Sequence, residues 1–154
     1  METLKKIETT PFYNYPLRLI STGATALVYT LLFRGEIEDA LIASFISIVI
    51  FMMRGKISHT GIFQFLEFFL SGTLAGCLSL LSVKLFPALD IYKIIIGSIM
   101  VLVPGVAITN GIKDALYGDT VSSLYRISEA IFISIAIGAG VGIVLSTGLR
   151  WLYG

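Results

Sequence analysis

The chain has 154 residues, of which 56% are hydrophobic and only 14% charged, whereas soluble domains carry about 25% charged residues. That leaves too few polar groups to cover a soluble core, so composition points to an integral membrane protein. Eleven basic and ten acidic residues give a net charge of +1, which offers no basic stripe for nucleic acid and no acidic solubilising tail. A single cysteine, Cys77, excludes an internal disulfide and a cysteine-built zinc site.

Residues Met1 to Tyr15 carry Glu2, Lys5, Lys6 and Glu8. They lack the apolar core and small-residue cleavage site of a secretory signal, and they read as a short hydrophilic N-terminal segment before a membrane domain over residues 16–154. A hydrocarbon core of about 30 Å needs roughly 20 mostly apolar residues, and five segments meet that need. The fold expected is therefore all-α, a polytopic membrane protein with five transmembrane helices. The first runs from about Pro16 to Phe33 and ends at Arg34-Gly35-Glu36. The second, short, runs from about Ile37 to Met53 and stops at Arg54-Gly55-Lys56. His59 sits on the loop that follows, without a ligand partner at metal-binding spacing, and reads as solvated.

The third span runs from about Ile62 to Val83. Glu67 lies about five residues inside it, either as a proton site or as a side chain snorkelling to the interface. Gly72 and Gly76 form a small-residue stripe that lets helix backbones approach closely. The fourth span runs from about Ile91 to Tyr117 and is interrupted at Pro104-Gly105. Proline removes an amide donor and clashes with the carbonyl four residues back, and glycine weakens the same turn. Backbone groups freed in a bilayer require water, a side chain or a solute. The 27 residues from Ile91 to Tyr117 span about 40 Å as a helix, which puts Pro104 at the centre of the span. Pro104, Gly105, Thr109 and Asn110 are thus the candidate solute-binding residues; the alternative is a kinked helix satisfied by its neighbours.

The fifth span covers about Val121 to Leu149, with Arg150, Trp151 and Tyr153 beyond it as interface anchors. A turn near Gly118-Asp119-Thr120 places Asp114 and Arg126 at equal depth on an antiparallel hairpin, with Lys113 and Glu129 close enough to extend the network. Asp114, Arg126, Glu129 and Glu67 are the coupling or gating candidates, a structural charge pair being the plain alternative for the hairpin. Ser134, Gly138, Gly142 and Ser146 form a second small-residue stripe, for packing inside the chain or across a homo-oligomer interface. Loops rich in Lys and Arg stay in the cytoplasm, and seven basic residues on one side against four on the other favour an inside N-terminus and an outside C-terminus. An odd span number means that a related five-span half would enter the membrane upside down, the inverted-repeat plan of many transporters.

No zinc-protease, hydrolase-elbow or phosphate-loop motif occurs, so no enzyme and no cofactor is expected. Gly118-Asp119 matches part of an intramembrane aspartyl protease signature, but Leu116 stands where that signature has glycine. An intramembrane enzyme is the weakest of three readings, after a transporter half and a scaffold or assembly subunit without its own solute path.

The segment Leu102-Val103-Pro104-Gly105, then Thr109-Asn110, Asp114, Gly118-Asp119, Val121-Ser122, Leu124, Arg126 and Glu129-Ala130, resembles the first membrane half of the threonine/serine exporter family. Gly35, Asp39-Ala40 and Phe45 fit the same resemblance. Ser123 and Arg34 stand where the family usually has glycine, and Gly111 where it usually has alanine. The resemblance implies a longer hydrophilic cytoplasmic segment ahead of the first span, of which Met1 to Tyr15 keeps the end. It also implies proton-motive-force-driven export of small hydrophilic metabolites, threonine and serine or dicarboxylates such as succinate, across the bacterial cytoplasmic membrane. The partner implied is a second five-span half, fused or separate, and no nucleotide site is implied.

Overall fold

The computed structural model describes residues 14–57 and 63–153, with side chains as far as residue 148. His59 and nearly all of the N-terminal segment lie outside the described residues, as do the side chains of Arg150, Trp151 and Tyr153. Six α-helices follow one another, with no strand among the described residues: α1 (Tyr15–Leu32), α2 (Ile37–Ile57), α3 (Gln64–Leu85), α4 (Ile91–Ile99), α5 (Gly105–Leu116) and α6 (Thr120–Tyr153). A 3-10 turn, Met100–Leu102, extends α4.

Helix α1 opens with Pro16 in its first turn, where the missing amide costs nothing. It closes by bonds from Arg34 N to Leu31 O (3.0 Å) and from Gly35 N to Thr30 O (2.9 Å). This double bond requires a left-handed residue between them, and Arg34 takes it, at φ 62°. In α2 the acidic Glu38 and Asp39 stand in the first turn and the basic Arg54 and Lys56 in the last, complementing the helix dipole. Asp39 is buried, at 3% exposure. Its Oδ2 accepts from Glu36 N (3.1 Å) and its Oδ1 from Asp90 N (2.9 Å), so one carboxylate ties the start of α2 to the start of α4.

The core is built from small and branched apolar residues rather than large ones. On α2, Ala40, Ala43, Ile46, Ser47 and Ile50 face inward, and on α3 Phe68, Ser71, Gly72, Ala75, Gly76, Ser79 and Val83. Both sets follow the three-and-four spacing of one helix face. Large apolar residues such as Ile20, Val28, Phe45 and Phe132 point outward, each at least 60% exposed, as expected of a surface meeting lipid.

Helices α3 and α6 make the most extensive contact and run parallel: Gly72 meets Ile137, Gly76 meets Val144, and Gly148 meets Leu80. A Cβ on Gly72 would lie 2.5 Å from the Ile137 carbonyl oxygen. Gly72 and Gly76 therefore act as the expected stripe. On α6, packing inside the chain uses other small residues than Ser134, Gly138, Gly142 and Ser146. Gly140 meets the backbone of Phe69 and Thr73, whereas Gly138 and Gly142 have open space around them, and Ser134 and Ser146 are exposed. Several small-residue stripes coexist on so long a helix, and only the position of α3 selects the one that is used.

Among the described residues three helices are long and apolar enough to cross a membrane alone: Ile37–Ile57, Gln64–Leu85 and the Thr120–Gly148 part of α6. The pair Ile91–Leu102 and Gly105–Leu116, bent by 56°, makes a fourth if counted as one span. The first of the five expected spans forms as a helix, but with Pro16 and Arg18 in its first turn it is not among those apolar enough to cross unaided. The fourth span is interrupted as expected: the 3-10 turn before its break shares a cavity wall with Arg54, which bonds Glu67 in the first turn of α3, at the end of the bundle where α2 leads to α3. Beyond the break α5 packs chiefly on α6. Since Glu129 meets Gln64 at the start of α3, the first turns of α6, together with α5, form a hairpin projecting past that end.

Candidate functional site

The break is built by local sequence. Val103 is extended (φ −62°, ψ 126°) and Pro104 (φ −79°, ψ 51°) occupies an inverse γ-turn that Gly105 N closes onto Val103 O at 2.8 Å. Residues before proline avoid the helical region, which ends α4 at Leu102. Val103 N donates to Met100 O (3.3 Å) and Ile108 N to Pro104 O (3.1 Å), so much of the freed backbone is satisfied locally. Thr109 Oγ1 donates to Gly105 O at 2.9 Å. Asn110 is half-buried, and its carboxamide has no hydrogen-bond partner among the described residues. Gly105 has open space around it and Val106 is 77% exposed, so in the isolated chain this segment is an open face rather than a closed cavity.

The hairpin brings Arg126 Nε to 2.9 Å from Asp114 Oδ2, the contact expected from equal depth, with side chains 46% and 29% exposed. Glu129 does not join them, because its Oε1 turns toward Gln64 Nε2 on α3, at 3.4 Å. Glu67 pairs elsewhere, its Oε1 2.6 Å from Arg54 Nε, while the Arg54 guanidinium lies 4.4 Å from the centroid of Phe68. The four acidic and basic candidates thus form three separate contacts. Sequence reasoning missed the Arg54 pairing because it joins two helices through a loop whose course the sequence does not reveal.

The turn itself explains Gly118-Asp119. Gly118 (φ 84°) donates to Ala115 O (3.1 Å) and Asp119 N to Asp114 O (2.9 Å), which terminates α5. Asp119 then starts α6, its two carboxylate oxygens accepting from Ser122 N (3.1 Å) and Ser122 Oγ (2.7 Å). These bonds, the hydroxyl's foremost and with help from the Arg126 charge, hold the Asp119 carboxyl below the ordinary aspartate range. The dipeptide is a helix stop followed by a helix start, which accounts for it without protease chemistry.

A second polar place lies between α1, α2 and α4 and was not foreseen. A cavity of about 20 Å³ is lined by Thr22, Ser47, Ile50, Phe51, Arg54, Ser98, Val101 and Leu102. It adjoins an open recess of about 500 Å³ lined by Leu17, Arg18, Ser21, Thr22 and Phe51. The 3-10 turn that leads into the break is one wall of this cavity. The only sequence signal was hydroxyl residues on inward faces, which is weak because Ser and Thr are ordinary at membrane helix contacts. Among the described residues no three His, Cys, Asp or Glu side chains converge on a possible metal position.

Neither the curated proteins nor the solved structures contain a match to this chain. A family model does match, across residues 1–148, and its description is "Putative threonine/serine exporter" (ThrE). With that match over nearly all of its length, and with apolar helices packed through glycine and alanine, the chain is a multi-pass membrane protein that belongs to the ThrE family.

Proposed function

We propose that this chain is one half of a secondary exporter, moving small hydrophilic metabolites (threonine and serine, or dicarboxylates such as succinate) out across the bacterial cytoplasmic membrane. The break between α4 and α5, in a chain of an exporter family, carries the reading. Discontinuous helices are where transporters of inverted-repeat design expose backbone dipoles to solute. Pro104 and Gly105 supply the hinge, and Thr109 and Asn110, one turn further along α5, line the solute path. The Asp114–Arg126 pair fastens α5 to α6 and gates its movement, while Glu67 and Glu129, each on its own polar partner, are the remaining carboxylates for coupling to protons.

The open face of α5 leaves Val106, Ile112 and Leu116 more than half exposed. A second five-span half covering this face would turn the open segment into a walled path. In the proposed orientation the N-terminus lies inside, α1 crosses together with that partner half, and the C-terminus lies outside. Efflux of threonine, serine or succinate is expected only when such a half is co-expressed, and robust efflux from liposomes holding the purified chain alone would refute the half-transporter reading. Single cysteines at Val106, Thr109 and Asn110 in a Cys77→Ser background are expected to react with a polar thiol reagent in the assembled protein. Uniform protection at all three would favour a scaffold instead.

A further inference from the structure

The recess between α1 and α2 gathers polar groups whose bonding is incomplete. Ser47 is 2% exposed and lines the inner cavity, yet its hydroxyl has no hydrogen-bond partner among the described residues. The hydroxyl wholly enclosed without a partner among the described residues is Ser79 Oγ, on α3; that of Ser47 opens onto the cavity. Arg18 lines the mouth, its guanidinium carbon 5.4 Å from the centre of the Phe51 ring. No carboxylate among the described residues lies within ion-pair distance of it. Arg54 lines the inner cavity, and its charge is balanced by Glu67. The remaining hydroxyls are committed differently: Ser21 donates to Leu17 O (2.8 Å), Thr22 to Arg18 O (2.8 Å) and Ser98 to Ile95 O (2.9 Å). Their protons are used, so they offer a visitor only acceptor lone pairs.

This division of donors and acceptors selects a ligand. A guanidinium without a carboxylate partner and a hydroxyl without a bond, both among the described residues, suit a carboxylate, and the acceptors beside them suit an ammonium or hydroxyl group. The inner cavity has room for about one water-sized group, and the outer recess falls within the range of about 300 to 1,000 Å³ usual for small-molecule sites. We propose that the recess binds a small carboxylate-bearing solute, its carboxylate held by Arg18 and reaching Ser47, and its remaining polar group turned to Ser21 and Thr22. The choice of solute class rests on the exporter reading above; the site itself rests on the cavity and its donors. Val101 and Leu102 wall the same cavity, so an occupant touches the turn that leads directly into the Pro104 break.

The test is calorimetric titration of the full chain, purified in detergent, with L-serine, L-threonine and succinate, using L-serinamide as the analogue without a carboxylate. At least one carboxylate binds, and serinamide binds about tenfold or more weakly, since charge-assisted hydrogen bonds are the strong ones. Arg18→Gln, at an exposed position that leaves the fold intact, weakens binding about tenfold or more. Ser47→Ala, which removes only the unpartnered hydroxyl, weakens it by a smaller factor. Unchanged affinity in both variants, with the wild type binding, overturns this site and leaves the exporter reading standing. Failure of every carboxylate to bind, together with absent efflux in cells holding both halves, overturns both. Arg18-dependent binding of phosphatidylglycerol, with no binding of the small carboxylates, makes the recess a lipid headgroup site and overturns the proposal.

Discussion

The α3–α6 seam and the α5–α6 hairpin share one helix and differ in almost everything else. Along the seam, glycines on both helices let the backbones touch, with Gly72 against Ile137 and Gly140 against Phe69 and Thr73. In the hairpin Gly111 is the buried residue of α5, Gly105 faces open space, and large apolar side chains such as Leu116 and Val121 stand at least 80% exposed. In lipid, association depends on close van der Waals packing rather than on expulsion of water, so the seam is a fixed frame. The hairpin, held by one face and a terminal ion pair, is the part free to take another partner or another position.

Glycine substitutions test this contrast most severely. Gly72→Leu is expected to cost about 3 kcal/mol or more, since overpacking against unyielding backbone exceeds the usual strain of about 1 to 3 kcal/mol. Gly105→Ala is expected to be neutral or to stabilise by up to about 1 kcal/mol, the helix-propensity gain. Unfolding by SDS titration in mixed micelles measures both, and equal losses would erase the distinction between frame and hairpin.

The two left-handed turns offer a smaller test. Gly118 fills its position in the hairpin with no strain, whereas Arg34 fills the equivalent position after α1 with a side chain. A left-handed L-residue costs about 1 to 2 kcal/mol. Arg34→Gly should therefore raise stability by about 1 kcal/mol, and Gly118→Ala should lower it by a similar amount, both read from the same unfolding curves. An Arg34→Gly protein no more stable than wild type would mean that the arginine makes a compensating contact.

The Asp114–Arg126 pair should matter little to stability. Half-exposed ion pairs are worth about 0 to 1 kcal/mol, so a double-mutant cycle with Asp114→Asn and Arg126→Gln is expected to give coupling in that range. A coupling of about 3 kcal/mol or more, as for a buried pair, would show that the assembled protein encloses the hairpin.

The smallest effect concerns Asp119. Its carboxyl is held below the ordinary aspartate value in the folded state, so the stability it adds is fully present above that ordinary value and is lost as pH falls through the lowered one. A carboxyl-carbon NMR titration should show the lowered value, and Ser122→Ala should move it back toward the ordinary one. An unmoved value would assign the shift to the Ser122 backbone amide and the Arg126 charge instead.

Much of this was legible in the sequence. Pro104 and Gly105 break a helix wherever they stand, because a missing amide and a weak turn are properties of the residues themselves. Gly118-Asp119 marks a turn for the same reason, and the turn fixes the spacing that sets Asp114 against Arg126. Apolar runs of sufficient length made helices, although Pro16 and Arg18 left the first of them short of a span that crosses unaided.

The rest depended on which helix lies beside which. Ser134, Gly138, Gly142 and Ser146 read as well as Ala136, Gly140 and Gly148 for packing, and the position of α3 alone selects between them. Glu67 found Arg54 and Glu129 found Gln64 through contacts between helices that follow no local spacing. The 56° bend at the break is likewise tertiary: Pro104 and Gly105 interrupt the helix, but the direction the chain takes beyond them is set by how α5 packs on α6. Nor could Ser47 be told from any other membrane serine until α1, α2 and α4 closed around it. Local backbone chemistry is written in neighbouring residues, whereas a cavity exists only where separate helices fail to fill the space between them.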